Sequence, residues 1–475
     1  LCDETFCRVA YESKMNNIPV ISTNSGNLKY LMKNYSIFLG NKPNLWKNEI
    51  EKLYFKNYKF PKNNLNIINY FENNIENKIQ TLLNISVQSK YKYENKNIGI
   101  IAPWADQGLG IQARSYYNSL LNIGYNPFIF SFKPYHANES NNFLQVDKKE
   151  WDYKNVYYSP NNRENIDHFE ILNFLHVNHI KKIIIIEASF EPIFRVVSLL
   201  KLLNIYSILV INIECLKITE INNHTLFDKI LCNNFNSYFI MNNLIQNKCN
   251  YLGFHLENSY FDTFIKNKKK DKNLNFVCSG GLNSISRKNI DMIHEIFYEL
   301  FQEKDYDNKI KLNILIQGIE VPEQFFLKKN KNINIIVKNC SYKENLDNIS
   351  QNDIFIHCGG QEGLGIGFYE ALYLGIPIIT LNWTPNNEII KNNINGWLIN
   401  CDYGKIYENT ECIINRGIIN KNLLKDKLSN IILNIDNTID IINKTIDNKE
   451  FFINKNKDKF ENNLKNYLST MPSFN

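Results

Sequence analysis

Two glutamates eight positions apart, Glu362 and Glu370, bracket the stretch Gly363-Leu364-Gly365-Ile366-Gly367. Glycines let backbone N–H groups come close to an anionic ligand, and a helix that opens behind such a loop adds the positive end of its dipole. If Gly367 opens that helix, Glu370 lies in its first turn and faces the ligand crevice. An ionised carboxylate there can accept both hydroxyl protons of a ribose without a metal. Glu362, ahead of the loop, is placed to meet sugar hydroxyls. Either glutamate alone reads equally well as a helix cap or a surface acid; their pairing around the glycines is what suggests chemistry. One domain-length earlier, Ser286-Arg287-Lys288 follows an apolar strand and the Gly280-Gly281 turn. Taken alone it is an exposed helix start, but a cationic pair at that place can neutralise a diphosphate and the charge that develops on it as a sugar departs.

A second glycine turn, Asp106-Gln107-Gly108-Leu109-Gly110, lies between a strand and a helix, where Gly108 and Gly110 can also turn N–H groups toward a ligand or simply make a turn. Glu187 ends a run of isoleucines and is the acceptor-side candidate; capping is its plain alternative. His168, His176 and His179 form no persuasive ligand set, so no metal is expected.

Positioning these groups requires a sheet whose strand ends converge. Strands are expected over 97–102 and 127–130, at 183–186 and 207–211, then at 274–278, 311–317, 333–337, 353–357 and 376–381. Helices are expected between them, notably 288–301 and 367–374, with a short helix near 387–391 and a largely polar helical tail over 445–467. Strands alternating with helices imply parallel, buried sheets, which bind ligands beyond the carboxyl ends of their strands. The expected class is α/β.

These elements resemble the retaining GT-B glycosyltransferases, family 4 or group 1 type, that include sucrose and phosphatidylinositol-mannose synthases. The match covers residues 97 to about 465 and is most specific from Cys358 to Ile399. There Glu362, Glu370-Ala371-Leu372, Gly375-Ile376-Pro377-Ile378-Ile379, Glu388-Ile389-Ile390 and Asn395-Gly396-Trp397-Leu398-Ile399 follow the family pattern. The resemblance implies two Rossmann-like domains facing across a cleft, with transfer of a hexosyl group from a nucleoside diphosphate sugar to an acceptor hydroxyl. Retention at the anomeric carbon is implied with it; backbone N–H groups and Lys288 would stabilise the departing diphosphate, so no metal is required and no other cofactor is expected. In such enzymes the first glutamate contacts the transferred sugar, the second holds the ribose, and the loop supports sugar and diphosphate. Those roles fall on Glu362, on Glu370, and on Gly363, Leu364 and Gly365 through Gly367. Gly108 and Gly110 match the amino-terminal glycine loop. The family's basic pair has its Lys at Lys288, but its Arg position falls at Gly281, leaving Arg287 as the neighbouring cation.

The pattern occurs twice. Glu4 and Glu12 are also eight apart, and Ile18-Pro19-Val20-Ile21 follows Glu12 as Ile376-Pro377-Ile378-Ile379 follows Glu370. Thr5-Phe6-Cys7-Arg8 replaces the glycines of the later copy. The expected organisation is therefore 1–90 as the end of a preceding donor domain plus linker, 91–265 as the acceptor-side domain, 266–444 as the donor domain, and 445–475 as a crossover helix. Leu1-Cys2-Asp3-Glu4 reads as neither a signal peptide nor a natural start, so a missing amino-terminal part of the same polypeptide is a candidate partner.

The 475 residues suit two domains plus a remainder. The abundant Asn, Lys and Ile reflect coding bias rather than function. With 54 basic and 48 acidic residues the net charge of +6 is modest and gives nucleic-acid binding little support. Lys266, Lys268, Lys269 and Lys270 read as a solvated linker. Ten scattered cysteines fit reduced thiols and a cytoplasmic setting, and no apolar run is long enough to span a membrane. The acceptor, whether glycan, protein or lipid, is not legible. The competing readings are a non-catalytic scaffold of a larger tandem transferase and a GT-B sugar-nucleotide epimerase, with a phosphorylase-like enzyme and a dinucleotide-binding oxidoreductase behind them.

Overall fold

The computed structural model describes residues 20–23, 36–39, 96–133, 144–187, 191–281, 285–303, 309–318, 323–325, 328–405 and 415–471. The chain divides into two units, Leu1–Tyr91 and Lys92–Asn475. In the first, β1 (Val20–Thr23) and β2 (Ser36–Leu39) pair in parallel. Glu4 and Glu12 of the repeat lie outside the described residues.

The second unit contains two parallel sheets. The seven-stranded one has the order β5-β4-β3-β6-β7-β8-β9, from β3 (Asn97–Ile101), β4 (Asn126–Lys133), β5 (Val156–Asn162), β6 (Lys182–Ile186), β7 (Tyr206–Ile211), β8 (Lys229–Cys232) and β9 (Cys249–Tyr251). The six-stranded one has the order β12-β11-β10-β13-β14-β15, from β10 (Leu274–Gly281), β11 (Ile310–Gln317), β12 (Ile333–Val337), β13 (Ile354–His357), β14 (Ile378–Leu381) and β15 (Gly396–Ile399). In each sheet the first strand sits between the second and the fourth, so the chain reverses direction across the sheet there. This is the Rossmann order, whose ligand crevice lies at that reversal. The crevices therefore lie at the carboxyl ends of β3 and β6, and of β10 and β13.

The central strands are buried along nearly their whole length, β13 and β14 completely, because helices cover both faces. That is why they read in the sequence as continuous apolar runs rather than alternations. The helices used below are α1 (Gly108–Asn122), α2 (His168–Val177), α3 (Glu191–Leu202), α4 (Phe235–Leu244), α5 (Ile290–Glu303), α6 (Tyr342–Ser350), α7 (Ile366–Tyr373), α8 (Asn386–Ile389), α9 (Lys421–Leu433), α10 (Ile435–Asp447) and α11 (Lys449–Ser469).

The expected helical tail is two helices: α10 ends at Asp447 and α11 starts at Lys449. The long α11 crosses from the second sheet's layer to the first. Phe460 packs edge-on against Tyr116 of α1 at 5.1 Å, Phe452 packs against Tyr373 of α7, and the Asn463 amide donates to the Leu252 carbonyl at 3.0 Å. One hydrophobic core consequently runs from β3 and α1 through α11 into α7 and β14. An antiparallel hairpin of β16 (Asp402–Lys405) and β17 (Asn415–Ile418) follows β15, which the sequence did not suggest.

Candidate functional site

The two glycine turns meet. α1 starts at Gly108 and α7 at Ile366, and neither has a side chain capping its N-terminus. A Cβ added to Gly108 would stand 3.9 Å from Ile366. Two helix starts without a side-chain cap thus approach each other through the Ile366 side chain, each carrying the partial positive charge of a helix N-terminus. The local sequence enforces both turns. A Cβ on Gly110 would lie 2.1 Å from the Ala105 carbonyl oxygen, and Gly365 sits in the left-handed region at φ 71° with Phe368 packed where a side chain would go.

Glu362 stands between the end of β13 and this loop. Its Oε1 accepts from Nε2 of His357, the last residue of β13, at 2.9 Å and from Arg287 at 3.1 Å. Gly359 makes this possible, since a Cβ there would lie 2.6 Å from that same oxygen. Burial alone would raise the Glu362 pKa. The charge and hydrogen bond of His357, followed by the charges of Arg287 and Lys288, outweigh it and bring the carboxyl down to about 2. Burial lowers the His357 pKa, against the pull of Glu362, and its Nδ1 is buried without a partner.

Glu370 is 7% exposed and its environment acts the opposite way. Burial raises its pKa, and Lys288 and the Tyr342 phenol of α6 only partly oppose this. Lys288 lies within electrostatic reach of both glutamates. Burial and Arg287 lower its pKa while Glu362 and Glu370 raise it, and its ammonium donates to the Ser279 carbonyl at 3.3 Å. The site therefore holds two buried carboxyl groups with opposed shifts and one lysine between them, a pattern typical of functional sites.

Glu370 lies beyond the first turn of its helix. Gly365 is the N-cap, α7 begins at Ile366, and no acidic residue occupies the first turn. The expectation that Glu370 lies in the first turn is corrected accordingly: the left-handed glycine starts the helix one residue early and carries Glu370 into the second turn. Arg287, 39% exposed, binds Glu362 and the Gln361 carbonyl, so its charge is directed at Glu362. At Gly281 a Cβ would meet nothing within 4 Å.

Glu187, the residue after β6, takes a left-handed conformation, φ 54°, with burial raising its pKa against Asn212 and Arg163. Asn212 donates to it at 3.4 Å and also to Gln112 of α1 at 2.8 Å. Gln112 in turn donates to Asn233, so a buried amide network joins α1 to the ends of β7 and β8. His168, His176 and His179 belong to α2 and its C-terminal turn and join none of these groups. Among the described residues no set of three or more His, Cys, Asp or Glu is placed to hold a metal ion.

Several neighbours of the site had no role assigned to them in the sequence, although Glu388 stood in the family pattern. Asn234 caps α4 by accepting from Ser237 N–H and gives its own amide to the Gly363 carbonyl. Glu388 accepts from the Phe235 and Asn236 N–H groups at 2.7 and 2.8 Å, reaching from α8 to the N-terminus of α4. Glu214, just beyond β7, lies against Gly363. Glu214 and His357 carried the signal that identified Glu187, a polar residue at the end of an apolar strand.

The glycosyl transferases group 1 family matches residues 261–406, which contain β10 to β15 and both glutamates. No curated protein sequence matches the chain. Solved structures similar to the chain include HepE of Anabaena in complex with UDP and glucose (TM-score 0.57, 9% identity, 79% of this chain and 100% of that one). A glycosyltransferase from Rickettsia africae (TM-score 0.55, 15% identity) and sucrose-phosphate synthase from Thermosynechococcus elongatus (TM-score 0.56, 9% identity) are also similar, each over 79% of this chain and 100% of its own. No helix among the described residues is long and apolar enough to cross a membrane. The fold is GT-B, two Rossmann-like domains, and the second of them carries a group 1 glycosyl transferase domain.

Proposed function

We propose that this chain is a glycosyltransferase that moves a hexosyl group from a nucleoside diphosphate sugar to an acceptor hydroxyl, with retention and without a metal. The observation that carries the reading is the approach of two helix N-termini without side-chain caps at Gly108 and Ile366, on a loop that Glu362 and Glu370 flank in the sequence. Converging N–H groups and Lys288 suit a diphosphate and would stabilise its charge as the sugar leaves. Glu370, buried and facing Lys288 and Tyr342, suits a ribose diol; Glu362, held ionised, suits sugar hydroxyls. Arg287 acts through Glu362, Gly363 to Gly365 supply backbone contacts, and Glu187 faces the acceptor side. The anionic leaving group takes the proton that the acceptor hydroxyl loses, so no separate base is needed.

Support from related proteins is of the same kind: HepE of Anabaena was solved with UDP and with UDP-glucose. The free cysteines among the described residues suit a cytoplasmic setting. Residues 1–90 we read as the end of a preceding donor domain. In support, β1 follows Ile18-Pro19 as β14 follows Ile376-Pro377, and each pairs in parallel with the next strand.

Calorimetric titration with UDP- and GDP-sugars tests the reading. One donor should bind the intact chain and lose at least about tenfold in affinity in Glu370→Ala, as expected for a buried hydrogen-bonding group. A folded chain that binds none of them would refute it and favour a scaffold. Release of free nucleotide without any acceptor requirement would favour a sugar-nucleotide epimerase.

A further inference from the structure

The two domains grip each other at two places along the cleft. On the β8 side Asn234 and the N-terminus of α4 meet Gly363 and Glu388. On the β4 side, α1 and the 3-10 turn Lys148–Trp151 of the first domain meet the N-terminus of α6 in the second. Glu150 Oε1 accepts from the Lys343 N–H at 3.0 Å, satisfying one of the donors that a helix start leaves over. Asp106, held by the Trp151 indole N–H at 3.0 Å, lies within hydrogen-bonding reach of the Tyr342 N–H. Arg114 of α1 is at the centre of this contact. It is 4% exposed, and its guanidinium carbon stands 4.5 Å from the Trp151 ring centre and 4.9 Å from the Tyr342 ring centre. Nη1 donates to the Glu150 carbonyl at 3.2 Å and lies 4.0 Å from that residue's carboxylate, while Nη2 makes no hydrogen bond. A guanidinium cannot shed its charge on burial, so the two rings carry much of its stabilisation, one of them from the other domain.

Tyr342 carries this contact into the donor site. Its side chain is buried, and its phenol lies close enough to Glu370 for each group to shift the ionisation of the other, although the oxygen makes no formed hydrogen bond. A single side chain thus joins Arg114 in the first domain to Glu370 in the second. We propose that Arg114 is a positioning residue that holds the Tyr342 ring beside Glu370, so that nucleotide affinity and the preference for ribose over deoxyribose depend on a cation supplied by the first domain. This rests on the donor-site reading given above, in which Glu370 receives the ribose. The groups around Arg114 are Asp106, Glu150, Trp151 and Tyr342, whereas Glu362 is held by His357, Arg287 and Lys288. The effect of Arg114 therefore falls on the nucleoside half of the donor and leaves the increment from the sugar alone.

The test is calorimetry on the intact chain, Arg114→Met, Tyr342→Leu and the double variant, with UDP, GDP and their 2′-deoxy counterparts as ligands. Methionine fills much of the arginine's volume but offers the rings no charge. Affinity for the nucleotide that binds should fall about tenfold in Arg114→Met, the worth of a desolvated cation–ring contact. The preference for the ribonucleotide over its 2′-deoxy form, about tenfold in the intact chain for one hydrogen bond to a buried carboxyl group, should drop below about threefold. Because Arg114 acts through Tyr342, the double variant should bind within about threefold of the weaker single variant rather than at the product of both losses. A residue that only supports the fold would lower the melting temperature without changing the ribose preference. Should Arg114→Met fail to fold, Arg114→Lys, which keeps the charge but not the flat contact with two rings, takes its place with the same expectation. Unchanged affinity and ribose preference in the Arg114 variant, or losses that multiply in the double variant, overturn the proposal while nucleotide binding by the intact chain leaves the donor site standing. If the intact chain binds neither UDP nor GDP, the donor-site reading fails and this proposal fails with it.

Discussion

Replacing Asn234 by Asp separates domain closure from helix stability. In the wild type the Asn234 oxygen caps α4 through Ser237 N–H, and its amide nitrogen donates to the Gly363 carbonyl across the cleft. Asp caps a helix as well as Asn does, so α4 and the open form should be unaffected. In the closed form the substitution removes a buried hydrogen bond worth about 1 kcal/mol. It also sets a carboxylate against a carbonyl oxygen with no donor between them, a further ~1–3 kcal/mol. Glu388, whose carboxylate binds the same first turn of α4, adds like-charge repulsion. A total of ~3 kcal/mol corresponds to about two powers of ten in the ratio of closed to open forms. Because a donor that needs the closed form binds in proportion to its population, the apparent affinity should fall by up to about 100-fold. Small-angle scattering should report a more open particle, with an unchanged helical circular dichroism signal. A donor affinity within about threefold of wild type, together with unchanged scattering, would refute the view that Asn234 clamps the glycine loop.

Glu362 should make stability depend on pH in a defined direction. Its carboxyl is lowered from an ordinary value of 4.5 to about 2, so the stabilisation from its ionised form is complete above pH 4.5 and is lost as the pH falls toward 2. Thermal unfolding should therefore show Glu362→Gln melting below wild type at pH 7, with a smaller gap at pH 3. A gap that stays constant or widens would show that His357 and Arg287 do not stabilise the ionised carboxylate. For Lys288→Ala, turnover should fall about 10²–10³-fold with a much smaller change in KM, since a charge developing on the diphosphate needs it most in the transition state. Equal losses of ground-state donor binding and of overall efficiency would assign Lys288 to binding alone.

The sheets were legible because parallel strands buried on both faces become apolar runs, and Ile333–Val337 in particular was expected at the bounds it has. Strand ends then localised Glu187, Glu362 and Lys288, since the Rossmann order requires loops beyond the carboxyl edge to carry ligands. What failed was local and had physical causes. The start of α7 depends on Gly365 adopting a left-handed conformation, which sequence spacing cannot distinguish from a start at Gly367. The break between α10 and α11 falls at Asn448 with neither Gly nor Pro to mark it, in a chain where Asn occupies helix faces and turns alike. The same abundance hid Asn234, whose importance comes from a contact 129 positions away in the chain.

That long-range contact also explains why the glycine loop reads differently in sequence and in three dimensions. Considered alone, Gly363 is a flexible residue serving a ligand's approach. In the folded chain its carbonyl is held by Asn234 and its Cα face is covered by Glu214, both from the first domain. The glycine is thus required by closure as much as by substrate. Its lack of a side chain lets a residue from the other domain reach the edge of the site. A loop that belongs to the second domain by sequence is thus a surface shared by both domains, where groups from either side of the cleft meet.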